Sequence, residues 1–193
     1  TVCALTRASR AFLKRPPAGF AETVLMTPRA ALFVADAESL PRLDAMLGAS
    51  TAAATLRRLD ADAALAHVPI LRRDRLAGAA YDDSGCDIDV AAVHQGYLRA
   101  ARRAGAQLVL GAREALPVHE AGRWIVRTRA DAFAAPVLVN ATGAWADAVA
   151  RAAGVATVGL QPKRRTAMTI PAPAGHDIRA WPRPVAGVDV PQL

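Results

Sequence analysis

The stretch Val137-Leu138-Val139-Asn140-Ala141-Thr142-Gly143-Ala144-Trp145 decides the fold. Its run of branched apolar residues after Pro136 reads as a strand from Pro136 to Asn140, buried on both faces as strands of parallel sheets are. Small residues then open a helix from about Ala144 to Ala153, which Gly154 ends. A strand turning into a helix leaves free backbone N–H groups at the carboxyl end of a sheet, where α/β folds bind ligands. Residues without bulk also let a flat cofactor approach the main chain. An ordinary strand-to-helix turn needs the glycine too, and the local chemistry alone leaves both readings open.

Outward from this stretch, the signals alternate between helix and strand. Asp89 can cap a helix on which Val90, Val93, Tyr97, Leu98, Ala101 and Ala104 keep helical spacing, and Gly105 stops it. Gln107 to Leu110 then reads as a strand, so helix, glycine and strand form half of a parallel crossover unit. Ala115 to His119 and Trp124 to Thr128 read as a hairpin turning through Ala121-Gly122. Nearer the start, a helix from Arg7 to Leu13 runs into Pro16-Pro17, and Glu22 to Ala35 reads as strand broken by Pro28. Helices follow near Ala37 to Leu47 and at Asp60 to Ala66, then a strand from Leu76 to Tyr81 and turn chemistry at Asp82-Asp83-Ser84-Gly85. The pattern predicts a mixed α/β (α+β) architecture.

Composition narrows the function classes. Hydrophobic residues make up 53% and charged residues 21% of 193, a globular balance with Ala as the main apolar residue. A net charge of +7 raises nucleic acid or an anionic membrane surface as partners. The arginines argue against both: Arg57-Arg58, Arg72-Arg73, Arg102-Arg103 and Lys163-Arg164-Arg165 are short scattered clusters without aromatic interleaving or a nucleic-acid motif. An anionic cofactor or substrate accounts better for part of this charge. Cys3 and Cys86 have no CxxC spacing, and no apolar run reaches transmembrane length, so a reduced cytoplasmic setting is the default expectation. His67, His94, His119 and His176 are not spaced as metal ligands.

The residues 137–145 resemble the VVNAAGAW signature of the D-amino-acid oxidase superfamily of flavoproteins, in which this loop packs against FAD. Further segments agree in order. Asp87-Ile88-Asp89 with His94-Gln95-Gly96-Tyr97-Leu98 is similar to the family's crossover helix. Glu114 to Val118, with Ala115, is similar to the strand whose backbone meets the adenine. Leu160-Gln161-Pro162-Lys163-Arg164-Arg165-Thr166 resembles the strand that leads into the substrate domain. Within the superfamily the likeness is to the bacterial D-arginine dehydrogenases, and it extends to Leu5-Thr6, Ser9-Arg10-Ala11-Phe12, Pro16 to Phe20 and Pro69 to Asp74.

The resemblance implies a partial FAD-binding, Rossmann-like domain joined to part of an antiparallel-sheet substrate domain. On that reading 1–75 is mainly substrate domain, 76–155 part of the FAD-binding domain, and 156–193 an incomplete return into the substrate domain. It also implies FAD as cofactor, a small D-amino acid as substrate, and hydride transfer from the α-carbon to the flavin, giving an imino acid that hydrolyses to keto acid and ammonia. Ala141, Thr142, Gly143 and Trp145, together with Ala115, would contact the cofactor. Arg165 falls where the family places a carboxylate-binding arginine, whose planar fork suits that partner.

Departures shape the expectation. An acidic residue follows the SPRP run of the arginine-preferring enzymes, whereas Met26-Thr27-Pro28-Arg29-Ala30-Ala31-Leu32 has Ala31 there. Without that acid a buried guanidinium lacks its partner, so apolar D-amino acids should be favoured over D-arginine. The sequence contains no GxGxxG, so the pyrophosphate turn is expected outside these residues, and the polypeptide alone is expected to hold FAD weakly. Three alternatives stand beside this reading: a glycine- or sarcosine-oxidase-like flavin amine oxidase, a non-catalytic remnant of the fold, and a nucleic-acid binder.

Overall fold

In the computed structural model the chain is described over residues 2–49, 56–112, 115–164 and 171–186. It divides into two compact units, the first formed by 1–105 with 171–193 and the second by 106–170.

The first unit is built on a mixed sheet. Strand β1 (Met26–Pro28) is separated by Arg29 and Ala30 from β2 (Ala31–Ala35), so the chain breaks beside the proline, which cannot donate to a ladder. With β3 (Arg57–Leu59), β4 (Gly78–Asp82) and β9 (Arg183–Ala186), β2 makes a four-stranded sheet ordered β3-β4-β2-β9, in which only the β2–β9 pair is parallel. The register sets Ala31 opposite Asp82 and Leu32 opposite Tyr81. Because successive strand residues point to opposite faces, the sheet carries a core on each side. Leu32, Leu59 and Ala79 pack with Ala64 and Val68 of helix α3 (Ala61–His67) and its end; Ala35 and Ala80 pack with Leu43 of α2 (Leu40–Gly48).

The remaining elements of this unit are α1 (Val2–Lys14), β5 (Cys86–Ile88), which pairs antiparallel with β1, and α4 (Val90–Arg103). Both predicted N-caps hold: Asp60 accepts the Ala63 N–H and Asp89 the Ala92 N–H, each at 2.8 Å. Gly96 lets α4 sit directly on Phe20, since a Cβ there would lie 2.5 Å from the ring and 2.8 Å from the Phe20 carbonyl oxygen. Phe20 also meets Phe12 and Tyr97 edge-on, and its carbonyl accepts from Arg99 at 2.6 Å.

The second unit is an antiparallel meander of β6 (Leu116–Glu120), β7 (Arg123–Arg127) and β8 (Ala132–Ala135), against whose first strand α5 (Ala146–Ala152) packs. The predicted hairpin turns through Ala121 and Gly122, both at positive φ.

Two sequence expectations fail in this unit. Pro136 to Asn140 and Gln107 to Leu110 form no strand. A strand buried on both faces requires neighbours on both edges, and among the described residues nothing pairs with either segment. Their side chains are accordingly open: Val139 is 78% and Leu110 79% exposed.

Candidate functional site

The loop from Asn140 to Trp145 is organised by its first residue. Asn140 Nδ2 donates to the Ala146 carbonyl at 2.8 Å, while its Oδ1 accepts from the Thr142 hydroxyl at 2.8 Å. One side chain thus ties the loop to the start of α5. Gly143 opens a single 3-10 turn ending at Trp145, and its φ of +57 is a left-handed conformation that glycine adopts without the Cβ penalty. The helix therefore begins at Ala146, two residues later than the sequence suggested.

This geometry leaves a bare stretch of main chain. Ala141, Thr142, Gly143 and Trp145 are exposed, Trp145 to 71%. Among the described residues no acceptor meets the N–H groups of Ala141, Gly143 or Ala144. A Cβ built on Gly143 would meet nothing within 4 Å, so the open face has room for a ligand lying flat on the backbone. The donor set suits the polar edge of a flat cofactor such as FAD. The loop holds no titratable side chain, so it can bind and orient but cannot itself exchange protons.

The feature sequence reasoning missed lies just beyond. Asp147, in the first turn of α5, is buried, and its carboxylate accepts three consecutive backbone N–H groups: Val158 at 3.2 Å, Gly159 at 3.0 Å and Leu160 at 3.0 Å. It pins the segment that leads toward Lys163-Arg164-Arg165 against the helix that follows the loop. An acid seven residues after Asn140 in the sequence resembles any first-turn helix acid, and only its burial distinguishes it.

The other candidates are dispersed. Ala115 is exposed immediately before β6, in the same unit as the loop. Ala31 opens β2 in the first unit, half-buried. Arg165 lies outside the described residues. Electrostatic perturbation falls away from the loop. Hydrogen bonds from the Ser39 hydroxyl and backbone N–H hold the Asp36 carboxyl below its ordinary value. The Arg127 guanidinium, by hydrogen bond and then by charge, does the same for Glu120. Among the described residues no cluster of His, Cys, Asp and Glu could hold a metal ion, and no helix is long and apolar enough to cross a membrane.

The chain is similar in fold to several solved structures. The chain is similar to glycine oxidase from Geobacillus kaustophilus (TM-score 0.61, 23% identity, covering 79% of this chain and 41% of that one). It is also similar to L-alpha-glycerophosphate oxidase from Mycoplasma pneumoniae, dithionite-reduced with FAD bound (0.59, 16%, covering 67% and 36%). A third likeness is to L-proline dehydrogenase from P. horikoshii (0.57, 19%, covering 81% and 40%). The chain thus spans well under half of each, and at these identities the likeness is one of fold. The family model for FAD dependent oxidoreductases, DAO, matches residues 2–191. With nearly its whole length so matched, the chain belongs to the DAO family of FAD-dependent oxidoreductases.

Proposed function

We propose that this chain is part of an FAD-dependent D-amino-acid dehydrogenase or oxidase, of the kind represented by the bacterial D-arginine dehydrogenases. The observation that carries the reading is the small-residue main chain at Ala141, Gly143 and Ala144, whose N–H groups meet no acceptor among the described residues, in a chain of this family. FAD, when bound, supplies the two-electron acceptor; the protein's task is to bind and orient.

Each candidate has a part in that task. The N–H groups of Ala141, Gly143 and Ala144 donate to the cofactor, Trp145 and Ala115 flank it, and Thr142 keeps the loop closed through Asn140. Arg165 is assigned to the substrate carboxylate, which suits a planar guanidinium fork better than the point charge of a lysine. Ala31 leaves the substrate side chain without a buried acid, so the reading favours apolar D-amino acids over D-arginine. On this reading residues 1–75 and 156–193 serve the substrate and residues 76–155 serve the cofactor.

The test uses the intact protein. Flavin should remain with it through gel filtration, and D-leucine or D-methionine should yield keto acid while the L-enantiomers do not. A flavoprotein that turns over glycine or sarcosine in preference to D-amino acids would replace this reading with a glycine-oxidase-like one. Protein without flavin would leave only a remnant of the fold.

A further inference from the structure

In the first unit a cleft of about 200 Å³ opens between the β1–β2 connection and the 3-10 turn Ile178–Ala180. Its chemically active lining is Arg29, Arg179, His67, Tyr81 and Trp181; prolines and alanines complete the wall, and no acidic residue does. Tyr81 stands opposite Leu32 in the ladder, so it lies on the sheet face away from Ala31. Its ring is stacked with His67 at 4.6 Å between centroids, and the Arg57 guanidinium lies 4.6 Å from its centre. These contacts fix an aromatic wall.

Charge at this cleft is unbalanced. Asp87 is shared by two guanidiniums, accepting from Arg29 at 3.1 Å and from Arg183. Arg29 Nε is buried with no acceptor, and the exposed Arg179 makes no ion pair among the described residues. Arg29, whose Nε has no acceptor, and the unpaired Arg179 border a cleft that, among the described residues, no carboxylate lines, and a guanidinium fork suits a small planar anion in charge and shape. The volume falls below the roughly 300–1,000 Å³ of sites that take drug-sized ligands, which limits the occupant to a compact molecule.

We propose that this cleft binds a small organic carboxylate. The proposal does not depend on flavin binding, because every group it uses lies in the first unit.

Malonate is the probe, titrated calorimetrically into the intact protein at constant ionic strength, with sulfate and chloride as comparison anions. Saturable malonate binding is expected, with affinity at least about tenfold lower in Arg179→Gln and intermediate in Arg179→Lys, which keeps the charge but loses the fork. Arg179 is exposed, so both variants should retain the parent circular dichroism. Absence of saturable binding, or equal affinity in Arg179→Gln, would overturn the proposal. Sulfate binding as tight as malonate would overturn it as well, by showing an indiscriminate oxyanion patch.

Discussion

The carboxylate of Asp147 holds the main chain at Gly159: Oδ2 accepts the Gly159 N–H at 3.0 Å, with Val158 and Leu160 donating on either side. Backbone donors of the segment 158–160, which turns at Gly159 with a φ of +78, are thus satisfied by one helix side chain instead of a neighbouring strand. Removing it strands donors in a partly buried position, where each unmade bond to a charged group costs about 1.5–3 kcal/mol before water relieves some of it.

Asp147→Ala should therefore lower stability by about 2–4 kcal/mol, and Asp147→Asn by less, since the amide keeps one acceptor oxygen. Chemical denaturation of the parent and both variants measures this. Equal midpoints for all three would show that the segment 158–160 does not rely on the carboxylate.

Glycines in helices offer a contrast of sign. Helix propensity alone favours Ala over Gly by about 1 kcal/mol. At Gly96 the added Cβ would sit 2.8 Å from a backbone oxygen that cannot swing aside as a side chain can, and overpacking of this kind costs about 1–3 kcal/mol. Gly96→Ala should destabilise. Gly48, at the end of α2, has nothing within 4 Å of its Cβ position, and Gly48→Ala should be neutral or stabilising by up to about 1 kcal/mol. Thermal melts of the two variants should move in opposite directions or, at the least, separate clearly.

The Glu120–Arg127 pair gives the pH dependence. Arg127 donates to both carboxylate oxygens, at 3.0 and 3.1 Å, and lowers the folded-state titration of Glu120. A lowered folded value means that the pair's contribution is complete above the unfolded carboxyl range and is lost as pH falls through the folded value. Because the pair is exposed, its effect on stability is small. The direct readout is the Glu120 side-chain resonance, which should titrate below an ordinary glutamate and move back upward in Arg127→Gln.

How far the sequence could be read depended on the range of the interaction. Asp60, Asp89 and the Ala121-Gly122 turn act on residues within a few positions, and their readings hold. β3 and β9 were not foreseen, because each is short and exists through pairing with β4 or β2 far along the chain. The apolar run Val137-Leu138-Val139 reads as a buried strand in the sequence, yet hydrophobicity names no partner, and the segment lies open at Val137 as at Val139. In the loop itself the small residues were legible. The Asn140 clasp was not, nor was Asp147, whose acceptors' partners lie 11 to 13 residues ahead.

The proposed substrate preference rests on Ala31. It stands at the start of β2, opposite Asp82 in the ladder. Supplying the acid with Ala31→Glu should raise the kcat/KM ratio of D-arginine to D-leucine by about 10–100-fold, the range a charged hydrogen bond of about 1.5–3 kcal/mol provides. Steady-state kinetics of the intact enzyme and the variant check this. A parent enzyme already preferring D-arginine by orders of magnitude would contradict the role given to Ala31.

FAD-dependent oxidation of D-amino acids is the activity proposed for the protein. Anaerobic absorbance of the intact, purified protein tests it most directly. Flavin bands should be present and should bleach on addition of D-leucine or D-methionine while L-leucine leaves them unchanged. Protein lacking the bands, or bands that no D-amino acid bleaches, would contradict the account.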